Sequence, residues 1–122
     1  MIPTQNIIGN DNERKVVNPK IQTILTELRR RFEELYGERL VHMVLFGSQA
    51  RGDVASGSDI DVLVVLKGPV SPYEEIVRTG EAVADLSLQF NEVISCVFMN
   101  EERFMHRNGP LLRNIRREGV AI

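Results

Sequence analysis

Two aspartates separated by one residue, Asp59 and Asp61, are the residues of this sequence most suited to chemistry. Residues two apart in a strand point to the same face, so the two carboxylates would lie side by side. Their repulsion disfavours such a pair in a core, whereas a bound divalent cation favours it. Mg²⁺ prefers oxygen ligands and is usually held by one or two carboxylates plus substrate phosphates. The alternative is a polar strand entry, with Ser58 and Asp59 as turn residues.

Gly47 and Ser48 lie a short distance before the aspartates and could hold a phosphate. Glycine allows the backbone to turn sharply and to approach an anion closely. The N–H groups at the start of the following helical turn, together with the Ser48 hydroxyl, could then bind phosphate oxygens. No Gly-Lys-Ser/Thr follows, so this is not a Walker A loop. The pair also occurs in ordinary turns, and it gains meaning only beside the aspartates.

Apolar segments on both sides of these motifs predict the strands that position them. Leu40 to Phe46 predicts a buried strand, and the β-branched run Ile60 to Leu66 predicts a second. Glu92 to Met99 predicts a third. The link between the first two strands is too short for a parallel crossover through a full helix, so we expect those strands to be antiparallel.

Helices are predicted between and around the strands. Asn18-Pro19 reads as an N-cap followed by proline at the first helical position, and Gly37 closes the segment. The apolar residues at helical spacing within it are Ile21, Ile24, Leu25, Leu28, Phe32 and Leu35. Pro72 opens a second helix, whose predicted apolar stripe is Ile76, Val77, Val83, Ala84 and Leu88. Two shorter helices are predicted to begin at Asn100 and Pro110.

These elements predict an α/β (α+β) fold with a small mixed, partly antiparallel sheet and helices on one face. The 122 residues suit one compact domain with a modest core. Residues 1–17 are polar and without periodicity, so we expect a flexible N-terminal tail followed by a single domain over 18–122.

Composition and charge exclude several classes of protein. The net charge of −2 argues against a general nucleic-acid binder. The local basic groups are interpreted as solvated helix faces, with contact to a partner as the alternative, and they comprise Arg29, Arg30, Arg31, Arg113, Arg116 and Arg117. No apolar run is long enough to span a membrane, and the first residues do not form a secretory signal. The single Cys96 is expected to be a buried, reduced thiol, which favours a cytoplasmic location. His42 is expected to be packed, since no second histidine or cysteine lies at metal-site spacing.

A resemblance to a known family rests on two stretches. Gly47-Ser48-Gln49-Ala50-Arg51-Gly52, followed by Ser58-Asp59-Ile60-Asp61-Val62-Leu63-Val64, resembles the signature of the nucleotidyltransferase superfamily related to DNA polymerase beta. The small size resembles the minimal nucleotidyltransferases, the MntA-like antitoxins, and residues 110–119 resemble the closing helix of that family.

This resemblance implies an Mg²⁺-dependent enzyme that moves a nucleoside monophosphate, AMP from ATP, to a hydroxyl and releases pyrophosphate. The implied metal ligands are Asp59 and Asp61. The implied nucleotide-binding residues are Gly47, Ser48, Arg51 and Ser58, with Arg51 expected chiefly to brace the turn. In the minimal family the acceptor is often a tyrosine of a HEPN-type toxin, which is therefore the expected partner. A homo-oligomer is also considered.

The superfamily site also has a third carboxylate on the next strand. Glu92 is the only carboxylate available there, and it is the third predicted catalytic residue beside Asp59 and Asp61. The family position could instead fall on Val93, and a shift of one residue turns a strand side chain to the other face. Without this carboxylate, the chain would be a catalytically weak, nucleotide-binding antitoxin that neutralises its partner by contact. Transfer to RNA or to a small molecule is a third alternative, with an acceptor site completed by a partner or a second copy.

Overall fold

A four-stranded mixed sheet forms the centre of the protein. The computed structural model describes residues 18–52 and 59–122. The helices are α1 (Pro19–Tyr36), α2 (Ser48–Arg51), α3 (Pro72–Phe90), α4 (Glu101–His106) and α5 (Pro110–Glu118). The strands are β1 (Leu40–Phe46), β2 (Ile60–Leu66), β3 (Ile94–Asn100) and β4 (Val120–Ala121). The predicted tail over 1–17 and the predicted loop over 56–58 lie outside the described residues.

The order of the strands is β3-β2-β1-β4. Strand β1 is antiparallel to both β2 and β4, whereas β2 and β3 are parallel. The expected antiparallel pairing of the first two strands is therefore confirmed. Helix α3 provides the crossover that a parallel β2–β3 pair requires. The two-residue strand β4 was not predicted, because so short a segment has no periodicity to read.

Helices cover both faces of the sheet. Alternate strand residues pack in two separate clusters: Val62 and Val64 face α1 and α3, whereas Leu63 and Val65 face α4 and α5. The mixed α/β class is confirmed, but the expectation of helices on one face only was wrong. Strands that are apolar at successive positions, as β2 is, are buried on both faces and need cover on both.

Helix α1 has the predicted bounds and caps. The Asn18 side chain accepts a hydrogen bond of 2.8 Å from the Lys20 N–H, and Pro19 occupies the first helical position. Gly37 ends the helix with a positive φ of 54°. The predicted apolar face is buried except for Leu35, and Tyr36 is buried in addition.

Helix α3 presents a different face to the core from the one predicted. Ile76, Val77 and Leu88 of the predicted stripe are exposed, and Glu75 and Thr79 are buried instead. The Tyr36 hydroxyl donates a hydrogen bond of 2.7 Å to the Glu75 carboxylate, and Arg78 donates to the same oxygen at 3.0 Å. The buried face of α3 therefore contains a polar cluster and not the predicted apolar stripe. No pattern within the sequence of the helix alone indicates this cluster.

Arg30 and Arg31 form ion pairs on helix surfaces, in agreement with the predicted solvated faces, whereas the Cys96 side chain is partly and not fully buried. Arg30 forms ion pairs with Glu27 and Glu34 on α1, and Arg31 pairs with Asp85 on α3. Burial raises the pKa of the Cys96 thiol to about 12, so it remains protonated at neutral pH. Within the part of the chain that the structure describes, no helix is long and apolar enough to cross a membrane.

His42 is expected to make the stability of the fold sensitive to mild acid. Its ring is buried on β1 and packs against the Phe104 ring with 5.3 Å between centroids. Burial lowers the pKa of His42, although Glu101 opposes this effect. The pKa of His42 is lower in the folded state than in the unfolded state. Its contribution to stability is therefore complete above the unfolded-state pKa of about 6.5 and is lost progressively as the pH falls below that value.

We therefore expect the urea midpoint of the wild type to fall between about pH 7.5 and pH 5.5, around the unperturbed histidine pKa. His42→Leu should flatten this dependence, because a leucine at the buried position does not titrate. His106→Gln is the control, since His106 is exposed and no buried position changes. If the urea midpoint of His42→Leu falls with pH as steeply as that of the wild type, the acid sensitivity belongs to another group.

Candidate active site

The backbone of Gly47 lies directly against the carboxylate of Asp61. Phe46, the last residue of β1, pairs with Asp61 on β2, so the chain turns away from the sheet beside that side chain. A Cβ atom added to Gly47 would lie only 2.5 Å from Asp61 Oδ2. The sheet register thus brings together the Gly-Ser turn and the second aspartate, which the sequence predicted to act together.

The turn at Gly47 requires glycine for a second reason. Its φ of 76° and ψ of −158° lie in a region that is essentially restricted to glycine. The N–H groups of Ala50 and Arg51 donate to the Gly47 carbonyl, which starts the single helical turn of α2. Ser48 is the first residue of that turn, and Gly52 ends it in the left-handed conformation.

The Asp61 carboxylate carries an electrostatic cost in its charged form. Asp61 is half-buried, and burial raises the pKa of its carboxyl group. The negative charge of the exposed Asp59 raises the same pKa further, so the two groups are near enough to repel. Within residues 18–52 and 59–122, neither carboxylate has a cationic side chain as an ion-pair partner. A bound cation would relieve both the burial cost and the repulsion.

The donor set fits Mg²⁺. Two carboxylates beside a glycine turn supply oxygen ligands and leave room for water and phosphate oxygens, which is the coordination that Mg²⁺ usually has. The described residues contain no group of three or more histidine, cysteine or acidic side chains that could enclose a metal by themselves. The geometry therefore suits a cation shared between the protein and a phosphate-bearing ligand.

The structure does not bring Glu92 to this pair. Glu92 lies between α3 and β3, and its carboxylate forms an ion pair of 3.1 Å with Lys20 at the start of α1. It is two residues before Ile94, which packs on the face of the sheet covered by α1 and α3. Asp61 is two residues before Leu63, which packs on the opposite face. A catalytic role for Glu92 stays a prediction.

Ser95 lies beside Asp61 in the sheet, although the sequence did not single it out. In the parallel β2–β3 pair, Ser95 is the register partner of Asp61. Ser95 is exposed, and Val97 two residues later packs on the same face as Leu63. A serine has no charge to draw notice, and only the strand register identifies it.

The other predicted nucleotide-binding residues are less closely defined. Arg51 is exposed, and its guanidinium lies 3.5 Å from the Glu118 carboxylate at the end of α5. This contact agrees with a bracing role for Arg51, because it ties the turn of α2 to another helix. Ser58 lies outside the described residues.

Comparisons with known proteins show which family has a similar sequence and fold. Residues 25–121 match the sequence profile of the nucleotidyltransferase domain family. A protein of Methanocaldococcus jannaschii named "Putative protein adenylyltransferase" is 30% identical over 112 residues, which cover 91% of this chain and 98% of the relative. A second protein of the same name and organism is 38% identical over 76 residues, covering 62% of this chain and 76% of the relative.

Solved structures share the fold at low sequence identity. A toxin–antitoxin crystal structure with AMP-PNP aligns with a TM-score of 0.57 and 17% identity, covering 85% of this chain and 72% of that chain. A mutant of the MntA–HpeT toxin–antitoxin aligns with a TM-score of 0.55 and 17% identity, covering 82% and 69%. With the profile match over most of its length, and with the Gly-Ser turn placed against Asp61, this chain belongs to the nucleotidyltransferase domain family.

Proposed function

We propose that this chain transfers the adenylyl group of ATP to a tyrosine hydroxyl of a HEPN-type toxin partner. The observation that carries the proposal is the contact between the Gly47 backbone and the Asp61 carboxylate, with Asp59 close enough to raise the pKa of Asp61. A phosphate bound at the turn would lie beside both carboxylates. This is the arrangement that phosphoryl-group chemistry needs, since catalysis there consists mainly of positioning and charge stabilisation.

Each residue of the turn has a separate task in this reaction. The narrow turn at Gly47 admits the triphosphate close to the backbone, and the Ser48 hydroxyl and N–H groups orient its oxygens. Asp59 and Asp61 would hold Mg²⁺, which supplies charge neutralisation at the phosphates and aligns the acceptor oxygen. Arg51 keeps the turn attached to α5 through Glu118.

The bonds exchanged are those of an in-line displacement. The acceptor oxygen forms a bond to the α-phosphorus as the bond from that phosphorus to the bridging oxygen breaks. The electron pair leaves with pyrophosphate, and the proton of the hydroxyl passes to water. The Asp61 carboxylate must be ionised to hold the cation, so its raised pKa limits the acid side of the reaction.

The partner class and the nucleotide rest on the comparisons. A structural neighbour is a toxin–antitoxin bound to AMP-PNP, and the curated relatives are named as protein adenylyltransferases. Their names support a nucleotide substrate, a protein acceptor and a toxin partner for this chain. We also propose a cytoplasmic location, where ATP is available and a protonated, unpaired Cys96 would be stable.

A labelling experiment with a co-expressed partner tests the proposal. ATP labelled at the α-phosphate should label the partner in an Mg²⁺-dependent way, whereas ATP labelled at the γ-phosphate should not. The double variant Asp59→Asn/Asp61→Asn should remove the label. Asp85→Asn is the matched control, because Asp85 is an exposed aspartate on α3 that pairs with Arg31. Equal labelling by the double variant, or label arriving from the γ-phosphate, would contradict the proposal.

A second candidate function is neutralisation of the toxin by contact, with weak catalysis or none. It is favoured by the placement of Glu92, whose carboxylate is paired with Lys20 and not directed to the aspartates. Under this alternative, the double variant would still protect cells that express the toxin. Loss of protection in the double variant, with the complex still formed on a sizing column, would reject neutralisation by contact and support transfer.

A further inference from the structure

The position on β3 beside Asp61 is held by a neutral side chain. Asp61 and Ser95 are direct partners in the parallel pair, so their side chains leave the sheet on the same face. The packing of the two strands supports this orientation. Leu63 and Val97 are the next residues on that face, and both belong to the apolar cluster that contacts α4 and α5. On β1 the position that pairs with Asp61 is occupied by Phe46, and the turn at Gly47 follows it.

The carboxylate predicted for this strand lies on the other face. Glu92 has the same parity along the chain as Ile94 and Phe98, which pack against α1 and α3. Its ion pair with Lys20 agrees with that orientation. Moving Glu92 to Asp61 would require a change of register in β3, which would turn every apolar side chain of that strand to the wrong face.

We propose that Ser95, and not Glu92, is the β3 residue of the active site, and that its lack of charge limits how tightly the site holds a divalent cation. Because the affinity of an oxygen site depends on its number of charged ligands, two carboxylates bind more weakly than three at the same positions. This inference rests on the proposed function, since it concerns the same Asp59–Asp61 site. Ser95 acts as a positioning residue that leaves room beside Asp61.

Ser95→Asp is the direct test. Mn²⁺ binding, followed by the electron paramagnetic resonance signal of the free ion, should tighten about tenfold or more in this variant. Without metal, the added charge should lower the melting temperature, and Mn²⁺ should restore it. Ser95→Asn is the isosteric control without charge. Ser71→Asp is the positional control, because it adds the same carboxylate at the N-cap of α3, which follows the opposite end of β2 from Asp61.

Glu92→Gln separates the two candidate residues. It should leave the affinity for Mn²⁺ within about twofold of the wild type, because its main loss is a partly exposed ion pair. The inference would be overturned if Glu92→Gln weakened Mn²⁺ binding tenfold. It would also be overturned if Ser95→Asp had the same Mn²⁺ affinity and the same metal-free stability as Ser95→Asn. Failure of the proposed function is distinguishable, because the wild type would then place no α-phosphate label on the partner while the Mn²⁺ affinities of Ser95→Asp and Ser95→Asn still differed.

A second variant keeps the inference testable if Ser95→Asp fails to fold. Ser95→Cys introduces an exposed thiol, whereas the native Cys96 thiol is held protonated by burial. Iodoacetamide should therefore modify the introduced thiol first, and Mn²⁺ with a non-hydrolysable ATP analogue should slow this modification. Protection should be lost when Asp61→Asn is added. Modification that is equally fast with and without the metal–nucleotide complex would place Ser95 outside the site.

Discussion

Gly47→Ala is expected to destabilise the fold and to disable the site together. An alanine at this φ and ψ occupies a region restricted to glycine, and its Cβ would lie 2.5 Å from Asp61 Oδ2. Backbone strain and the displaced carboxylate together should cost about 2–4 kcal/mol of unfolding free energy, or about 10–25 °C in melting temperature. Adenylyl transfer by the folded fraction should fall about 100-fold or more, because Asp61 must move away from the turn.

Gly80→Ala is the matched control for this variant. Gly80 lies inside α3, and a Cβ added there meets nothing within 4 Å. The same substitution should therefore stabilise the protein by about 0.5–1 kcal/mol, through the higher helix propensity of alanine. Thermal unfolding followed by circular dichroism measures both changes, and activity is compared at a temperature where both variants are folded. A wild-type melting temperature in Gly47→Ala would show that the close contact with Asp61 is not part of the folded state.

Asp61→Asn is expected to lose activity and gain stability. Loss of one of the two proposed cation ligands should reduce transfer about 1,000-fold, which corresponds to about 4 kcal/mol in the transition state. The neutral amide removes a half-buried charge that burial and Asp59 both disfavour, so the metal-free variant should melt about 2–4 °C above the wild type. Calorimetric titration with Mn²⁺ should show weakened binding in the same variant.

The pH dependence of this gain has a defined sign. The pKa of Asp61 is raised in the folded state, so above that pKa the charged Asp61 side chain lowers the free energy of unfolding. This loss of stability disappears as the pH falls below the unfolded-state pKa, where Asp61 is protonated in both states. The advantage of Asp61→Asn should therefore be full at neutral pH and absent near pH 3, below the usual aspartate pKa of about 3.9. A variant that is less stable than the wild type at neutral pH would indicate that Asp61 makes a stabilising contact in the free protein.

We therefore expect the activity and the stability of the proposed site to oppose each other. The wild type holds Asp59 and Asp61 close together without a cationic side chain, within the described residues, to offset their charge. The free energy stored in that repulsion becomes available when a cation binds, so affinity for the cation and stability of the metal-free protein should change in opposite directions. The Ser95→Asp and Asp61→Asn variants test the two directions of this relation.

Much of the architecture could be predicted because its signals are local. The bounds of β1 and β2 follow from continuous apolar runs, and the start of α1 follows from an asparagine cap and a proline. The antiparallel pairing of β1 with β2 follows from the length of the link between them. The Gly-Ser turn and the two aspartates carry their chemistry in residue type and spacing, and the family match agrees with them.

The errors concern properties that depend on packing between distant segments. Ile76 and Val77 look like core residues in the sequence of α3, but they are exposed. The buried face of α3 carries Glu75 instead, which accepts a hydrogen bond from Tyr36 on α1. Successive apolar residues in β2 require cover on both sides of the sheet, but they do not tell which helices lie on which face. Neither property is encoded in a single helix or strand, because each depends on the partner against which the element packs.

The sequence by itself determined the family signature, the order of the main elements and the two aspartates of the candidate site. The tertiary structure decided which other residues approach them: Gly47 touches Asp61 through the β1–β2 register, and Ser95 adjoins it through the β2–β3 register. Glu92 turns to Lys20 on the other face. The physical reason is the two-residue period of a strand, in which a shift of one position reverses the face of every side chain, so that only the pairing of strands can assign a residue to a site.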